Sequence, residues 1–306
     1  MNFLLKVVIG SDNGTVLVNN EDFTLYKLLK AHATYIFRIK QSPFNNNDNI
    51  ATCSEDKTVK IWTFNWTLIR NYAGHVSAVY GLEWINSDTI ASGSADKTIQ
   101  IWSISTEQTY RTINTGYNVI SLKLLSNGFY LAAGLGYPSN NAYKINIYNI
   151  NTGKLITSLL GHTSYVRDLV LINNGNLLAS SSDDSTVRIW DLNTNSTMFT
   201  LTGHTSSIYG LKQITNDILS SGSYDTKIKL WNITSGTLIR TLSNHTNKIW
   251  RSLDLLNDGQ TLVSGSLDQT IKYWNMSTGQ ILQTINTGYK INSLAVISSK
   301  LLQIRC

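Results

Sequence analysis

Short runs in which apolar and polar residues alternate fill most of the chain, with turn residues between them. LEWI (82–85), TIASGS (89–94) and TIQIW (98–102) show the period of two expected of half-buried and buried strands. Near the start, LLKVVIGS, TVLVN and TLYKLLK read as three further strands, joined by Asp12-Asn13-Gly14 and by a second turn at 19–22. The stretch from Gly161 to Leu192, GHTSYVRDLVLINNGNLLASSSDDSTVRIWDL, contains such strands and, at fixed places among them, His162, Ser180, Asp184 and Trp190.

Those offsets return four more times. An Asp with a hydroxyl residue four before it and a Trp six after it gives Thr52, Asp56, Trp62; Ser92, Asp96, Trp102; Ser221, Asp225, Trp231; and Ser264, Asp268, Trp274. A His precedes each set: His32, His75, His204 and His245. All five histidines of the chain therefore fall at one repeat position. The steps Trp62–Trp102, Trp190–Trp231 and Trp231–Trp274 are 40, 41 and 43 residues, the period of a four-stranded propeller blade. Seven such units closed in a ring account for 306 residues as a single domain, 1–306. The expected fold is all-β, a seven-bladed β-propeller of four-stranded antiparallel blades.

Two units depart from the pattern. The third, Ile113 to about Leu159, opens INTGYNVISL without a His, carries Tyr148 in place of Trp, and inserts GLGYPSNNAY where the others turn tightly. The seventh opens INTGYKINSL. Residues 3–30 lack the strand that begins a blade, and INSLAVIS (291–298) supplies one, so the ring is expected to close through a blade split between about 1–31 and 287–306. The tail SKLLQIRC (299–306) aligns with the same second strand as residues 4–11, and only one can fill the slot. Either the tail frays or the chain is a piece of a longer protein.

The recurring quartet satisfies itself. Trp Nε1 only donates, a hydroxyl donates and accepts, a neutral imidazole does one of each, and an ionised Asp only accepts. A chain from Trp through Ser or Thr to His to Asp leaves nothing unpaired and ties the third strand to the second, to the turn after it, and to the loop entering the first. Ser, His and Asp also spell a hydrolase triad, but a nucleophile needs its hydroxyl beside a substrate cleft, and these lie in strand text such as LASSS and LVSGS. A structural role is expected, and no enzyme activity. Histidines without a second ligand at zinc spacing give no metal site, and no cofactor motif is present.

Composition narrows the rest. Charged residues are 14% and Pro only 2, which excludes a disordered polyelectrolyte or a Pro-rich linker. The net charge of +6 raises nucleic acid as a partner, yet the cations are spread through strand text (DKTVKIW, DSTVRIW, DTKIKLW, DQTIKYW) with no like-charge run. Cys53 and Cys306 form no disulfide framework, NFLLKVVIG is too short and polar for a secretory signal, and no apolar run approaches a membrane span. A cytoplasmic or nuclear, non-secreted protein without a membrane partner is expected, and the sequons at Asn65, Asn195, Asn232, Asn244 and Asn275 read as accidents of an Asn- and Thr-rich chain. Trp66 and Trp84 lie outside the repeat positions and read as packing residues.

With Gly-His at 74–75, 161–162 and 203–204, the Asp turns, and third strands ending IW, IW, IW, LW and YW, the chain resembles the WD-repeat β-propeller family along nearly all its length. Only Trp190-Asp191 is a literal Trp-Asp pair. The resemblance implies a scaffold that binds other proteins on the face where the His loops and Asp turns emerge. The rim positions it implies are Tyr35, Phe37 and Glu55; Ala78, Tyr80 and Ala95; Tyr165, Arg167 and Asp183; Ser207, Tyr209 and Tyr224; Lys248, Trp250 and Leu267; and, in the degenerate units, Asn118 with Ile120 and Lys290 with Asn292. Phe37, Tyr80, Tyr209 and Trp250 are the expected exposed apolar anchors, with Arg167, Asp183 and Lys248 for polarity matching. The insertion at 136–141 would lie on that face, as a pocket wall or a tolerated loop. The expected function is a monomeric interaction scaffold for a peptide or loop of a protein partner. The alternatives are single-stranded nucleic acid, or the regulatory propeller of a larger signalling or ubiquitin-ligase assembly.

Overall fold

A computed structural model describes residues 5–20, 25–44, 48–136 and 143–298. It contains seven four-stranded antiparallel sheets. Blades 1 to 6 each consist of four consecutive strands, beginning at Ile36, Val79, Asn118, Val166, Ile208 and Leu253. Blade 7 joins Ile291–Ser298 to Leu5–Ser11, Thr15–Asn20 and Leu25–Lys30, with Leu5 opposite Ser298 and Gly10 opposite Ser293. Residues 5–11 thus fill the slot that 299–306 could also have matched, and those tail residues lie outside the described part. The first strand of each blade touches the first strands of both neighbours, including blade 7 against blade 1, so the ring is closed. The one helical element among the described residues is a 3₁₀ turn at Asn173–Gly175.

Seven apolar clusters fill the seven interfaces between successive blades. Second strands are buried on both faces (Ile50–Ser54 throughout), whereas the outermost strands alternate, as in Ile281–Asn286. The reason is geometric: a blade's inner strands are sandwiched by two neighbours, while its outer edge is half in water. Trp66 and Trp84 are buried in two of these clusters, as packing residues should be.

A small residue three before each repeat Asp makes the interfaces close. A Cβ on Gly93 would stand 2.4 Å from Val119 Cγ1, on Gly222 2.7 Å from Ile249 Cγ2, and on Gly265 2.5 Å from Ile291 Cγ2. In each case the β-branched residue entering the next blade occupies the glycine's missing side chain. Gly222→Val is therefore expected to destabilise by about 1–3 kcal/mol through overpacking, and Ile249→Ala in the same chain should recover part of the loss. Urea denaturation of the single and double variants measures this. Simple additivity would show that the two positions do not compete for space.

Candidate functional site

The tetrads assemble as donor counting requires. His75 Nδ1 lies 2.7 Å from Asp96 Oδ2 and its Nε2 2.8 Å from Ser92 Oγ, to which Trp102 Nε1 donates at 2.7 Å. The sets around His162, His204 and His245 repeat this with every link at 2.7–2.8 Å. In blade 1, Thr52 takes the hydroxyl place, 2.7 Å from His32 Nε2 and 2.9 Å from Trp62 Nε1, with Asp56 Oδ2 3.0 Å from His32 Nδ1. The five histidines and their hydroxyl partners are all buried.

A fifth member escaped the sequence reading. Thr58, Thr98, Thr186 and Thr270, two residues after the Asp, donate Oγ1–H to its Oδ1 at 2.6–2.7 Å. The carboxylate's other oxygen accepts the backbone N–H after the His, from Ala33, Val76, Thr163, Thr205 and Thr246. These bonds hold the intervening Lys57, Lys97, Ser185, Thr226 and Gln269 in left-handed backbone (φ 67–72°), which residues with side chains rarely adopt. The signal was the recurring Asp-x-Thr, which blade 5 breaks: Lys227 there contributes only its backbone N–H.

In the degenerate blades Thr115 and Thr287 stand in for the His loop. Each hydroxyl reaches the carbonyl of the preceding turn, Lys97 at 2.8 Å and Gln269 at 2.9 Å, and accepts from the N–H of Tyr117 or Tyr289 at 3.2 Å. In blade 3, Asn146 pairs with Tyr148 Oη (2.8 Å) and Ser158 Oγ (2.7 Å).

Burial pushes the imidazoles of His32, His75, His162 and His245 below their ordinary value, against the pull of their Asp partners. Burial pushes the partner carboxyls up. Bonds from His, Thr and backbone outweigh it, and all five end below the ordinary carboxylate value.

The rim is built by β-bulges. In blades 1 to 5 the pairing of the first strand with the second skips one residue: Phe37, Tyr80, Ile120, Arg167 and Tyr209. Blade 7 skips Asn292. A bulge turns the extra side chain away from its strand's alternation. In blade 6 the strand itself is shortened to Leu253–Leu255, and Trp250 takes the equivalent place.

These residues and their neighbours form two aromatic groups. Tyr209 and Tyr224 stack at 4.3 Å with planes 2° apart, and Trp250 meets both edge-on at 4.9 and 5.6 Å. Arg167 lies over Tyr209 (4.6 Å) and Tyr165 (4.9 Å), Lys248 lies over Tyr224 (4.3 Å), and Arg167 is held by both carboxylate oxygens of Asp183. Phe37 packs on Tyr80 at 4.7 Å and Tyr35 at 6.3 Å. Trp250 also packs against the cluster of Phe37 and Tyr80, which bridges the two groups.

Two of the four expected exposed anchors are buried. Phe37 and Tyr209 are each 6% exposed, because their bulges aim them at rings of neighbouring blades rather than at solvent. Tyr80 and Trp250 are partly exposed. Tyr35 and Lys248 are exposed, and Tyr165, Arg167, Asp183 and Tyr224 are partly so. Glu55 and Lys290 are exposed, whereas Ile120 and Asn292 are buried. The insertion at 136–141 falls, from 137 on, outside the described residues.

Beneath the aromatic groups lies Arg251. Its guanidinium donates to the carbonyls of Tyr80 (3.2 Å), Ile120 (2.9 Å) and Arg167 (2.9 Å), three bulge residues of three blades. A bulge leaves backbone groups out of the ladder, and Arg251 satisfies these. Burial, reinforced by Arg38, pushes its pKa down to about 9. Gly210 permits the approach, since a Cβ there would stand 3.0 Å from Trp250 O.

The profile of the WD domain, G-beta repeat, matches residues 23–63, 66–103, 153–191, 195–232 and 236–275, more than half of the chain. The chain belongs to the WD40 repeat family. Each matched span holds one whole tetrad, from its His to its Trp, and each begins on the last strand of the preceding blade, one strand out of phase with the sheets. Among curated WD40 relatives, nuclear distribution protein PAC1 of Arthroderma otae is 30% identical over 169 residues, 52% of this chain and 36% of that protein. The PAC1 of Trichophyton verrucosum is 31% identical over the same length, and the ribosome biogenesis protein YTM1 of Scheffersomyces stipitis 34% over 84 residues, 27% of this chain and 18% of that one. The chain thus spans about a third of the PAC1 proteins it matches. Among the described residues no group of three or more His, Cys, Asp or Glu could hold a metal ion.

Two outcomes follow from the WD40 tetrads. Ser180→Ala leaves His162 Nε2 and Trp190 Nε1 buried without a partner and should cost about 1–3 kcal/mol in urea denaturation, while the same change at the exposed Ser235 costs almost nothing. A loss at Ser180 no larger than at Ser235 would refute the link. As pH falls below 6.5 the unfolded chain takes up protons that the depressed imidazoles refuse, so stability drops; below 3.8 the depressed carboxyls add a second loss. The urea midpoint should therefore be lower at pH 5 than at pH 7.5, and a midpoint that rises on acidification would show that the imidazoles are not buried neutral.

Proposed function

We propose that this WD40 propeller is a non-catalytic scaffold that holds a peptide or loop of a protein partner on the face carrying the His loops and Asp turns. The observation that carries the reading is the joined aromatic platform of Tyr80, Trp250 and Tyr224, flanked by exposed Tyr35 and Lys248. Aromatic residues and Arg, partly buried and held rigid by one another, are the composition of an interface hot spot. Arg167 pairs with Asp183 beneath this surface, and mixed polarity suits a protein ligand better than a phosphate backbone. Burial of the five Ser and Thr hydroxyls keeps them from a substrate, which supports a structural use of the Ser-His-Asp sets.

In this reading residues 1–306 act as a single domain, monomeric within a larger assembly, in the cytoplasm or nucleus. Among the described residues no helix is long and apolar enough to cross a membrane. The names nuclear distribution protein and ribosome biogenesis protein belong to the relatives, of which the chain spans only part.

Affinity capture with quantitative mass spectrometry tests the proposal. A partner held by the wild-type chain and by Asn216→Lys on the opposite face should be lost with Trp250→Ala and with Tyr224→Ala, while both variants remain folded. Tyr209→Ala belongs to a separate class, because truncating a buried ring costs about 3–5 kcal/mol of stability by itself. Capture unchanged by both rim variants, or replaced by steeply salt-dependent binding to single-stranded RNA, would overturn the reading.

A further inference from the structure

Below Arg251 the centre of the ring widens into a cavity of about 360 Å³, at the small end of the range for small-molecule sites, roughly 300–1,000 Å³. Its wall comes from the first strands of all seven blades. At alternate positions those strands present Arg38 and Lys40, Glu83, Lys123, Asp168, Lys212 and Asp254, with Arg251 as the roof. None of these belongs to the aromatic rim or to a tetrad.

The pairing in this wall is incomplete. Lys40 and Lys123 share one carboxylate, Glu83, with Lys123 Nζ at 2.7 Å. Lys212 pairs with Asp254 at 2.5 Å and Arg38 with Asp168 at 2.6 Å. Arg251 meets carbonyls and, among the described residues, no carboxylate within salt-bridge distance. Five cations (Arg38, Lys40, Lys123, Lys212, Arg251) thus face three carboxylates (Glu83, Asp168, Asp254), an excess of two positive charges. The hydrogen bonds point the same way: among the described residues, Nε of Arg38 and Nε of Arg251 are buried with no partner, and Arg251 is only 7% exposed. Unmatched charge of one sign inside low-dielectric walls concentrates the field and attracts a counter-ion.

We infer that this cavity is a binding site for a small polyanion of the phosphate class, held between Lys40, Lys123 and Lys212 with Arg251 above it. Two negative charges match the excess. A ligand of that class accepts from several donors at once, and guanidinium and ammonium groups are the side chains that supply them. Burial already depresses the Lys40 ammonium, against the pull of Glu83, so an added anion would relieve a cost the fold carries. The size of the cavity and its enclosure by seven strands favour a soluble small molecule over a chain or a membrane surface. Arg251 and the bulge carbonyls stand between the site and the exposed rim residues, and only the buried Phe37 borders both.

Inorganic pyrophosphate is the probe, titrated calorimetrically into the full chain at low salt. Saturable binding is expected, weakened roughly tenfold or more by Lys123→Gln and by Lys212→Gln, since each removes one charge-assisted contact. Both lysines are partly exposed at the cavity mouth, and near-ultraviolet circular dichroism confirms that the ring is intact. Glu83→Gln, which removes a competing carboxylate, should tighten binding, a direction no merely structural role would give. Absence of saturable binding at millimolar pyrophosphate overturns the inference. So does binding that Lys248→Ala on the rim abolishes while Lys123→Gln and Lys212→Gln preserve it.

Discussion

One buried hydroxyl per repeat is the joint on which this ring is assembled. Thr52, Ser92, Ser180, Ser221 and Ser264 each accept from a Trp on the third strand and face the imidazole of the loop that leads into the blade. The imidazole then binds an Asp in the turn beyond the second strand, whose carboxylate organises that turn through backbone and Thr donors. Two loops that would otherwise be free on the surface are therefore fastened from below. Such links contribute only about 1 kcal/mol net apiece, but an orphaned member costs more than the link contributes, so the set is maintained as a unit.

Fastening from below is what leaves the surface above available. In every blade but the sixth a bulge then adds one residue at the entrance of the inner strand, and Tyr80, Arg167 and Tyr209 from such bulges gather with Trp250 of blade 6 at the ring's mouth. The backbone cost of those bulges falls on carbonyls, and Arg251 meets three of them. The two blades without tetrads tolerate their loss because Thr115 and Thr287 secure the equivalent loops and because each lies between neighbours that are fully equipped.

The repeat, the tetrads and the split closing blade were legible because they depend on local spacing: an offset of four or six residues within a hairpin survives any change elsewhere. Bulges were not legible, since an extra residue in alternating text leaves no local mark, and hence Phe37 and Tyr209 read as exposed anchors when they are buried. Arg251 was hidden for a different reason. Its partners at Tyr80, Ile120 and Arg167 are 171, 131 and 84 residues away along the chain, and only ring closure brings them together. The glycines that admit Val119, Ile249 and Ile291 were visible as letters in SGS-type strands, but their purpose belongs to the next blade.

The most direct test of the buried joint is the protonation pattern of the imidazole nitrogens, read by ¹⁵N-detected correlation spectroscopy of histidine-labelled protein at neutral pH. The donor chain from Trp through hydroxyl to imidazole to Asp requires five rings that carry the proton on Nδ1 and accept on Nε2. Rings that exchange rapidly between tautomers, or that carry the proton on Nε2, would contradict it.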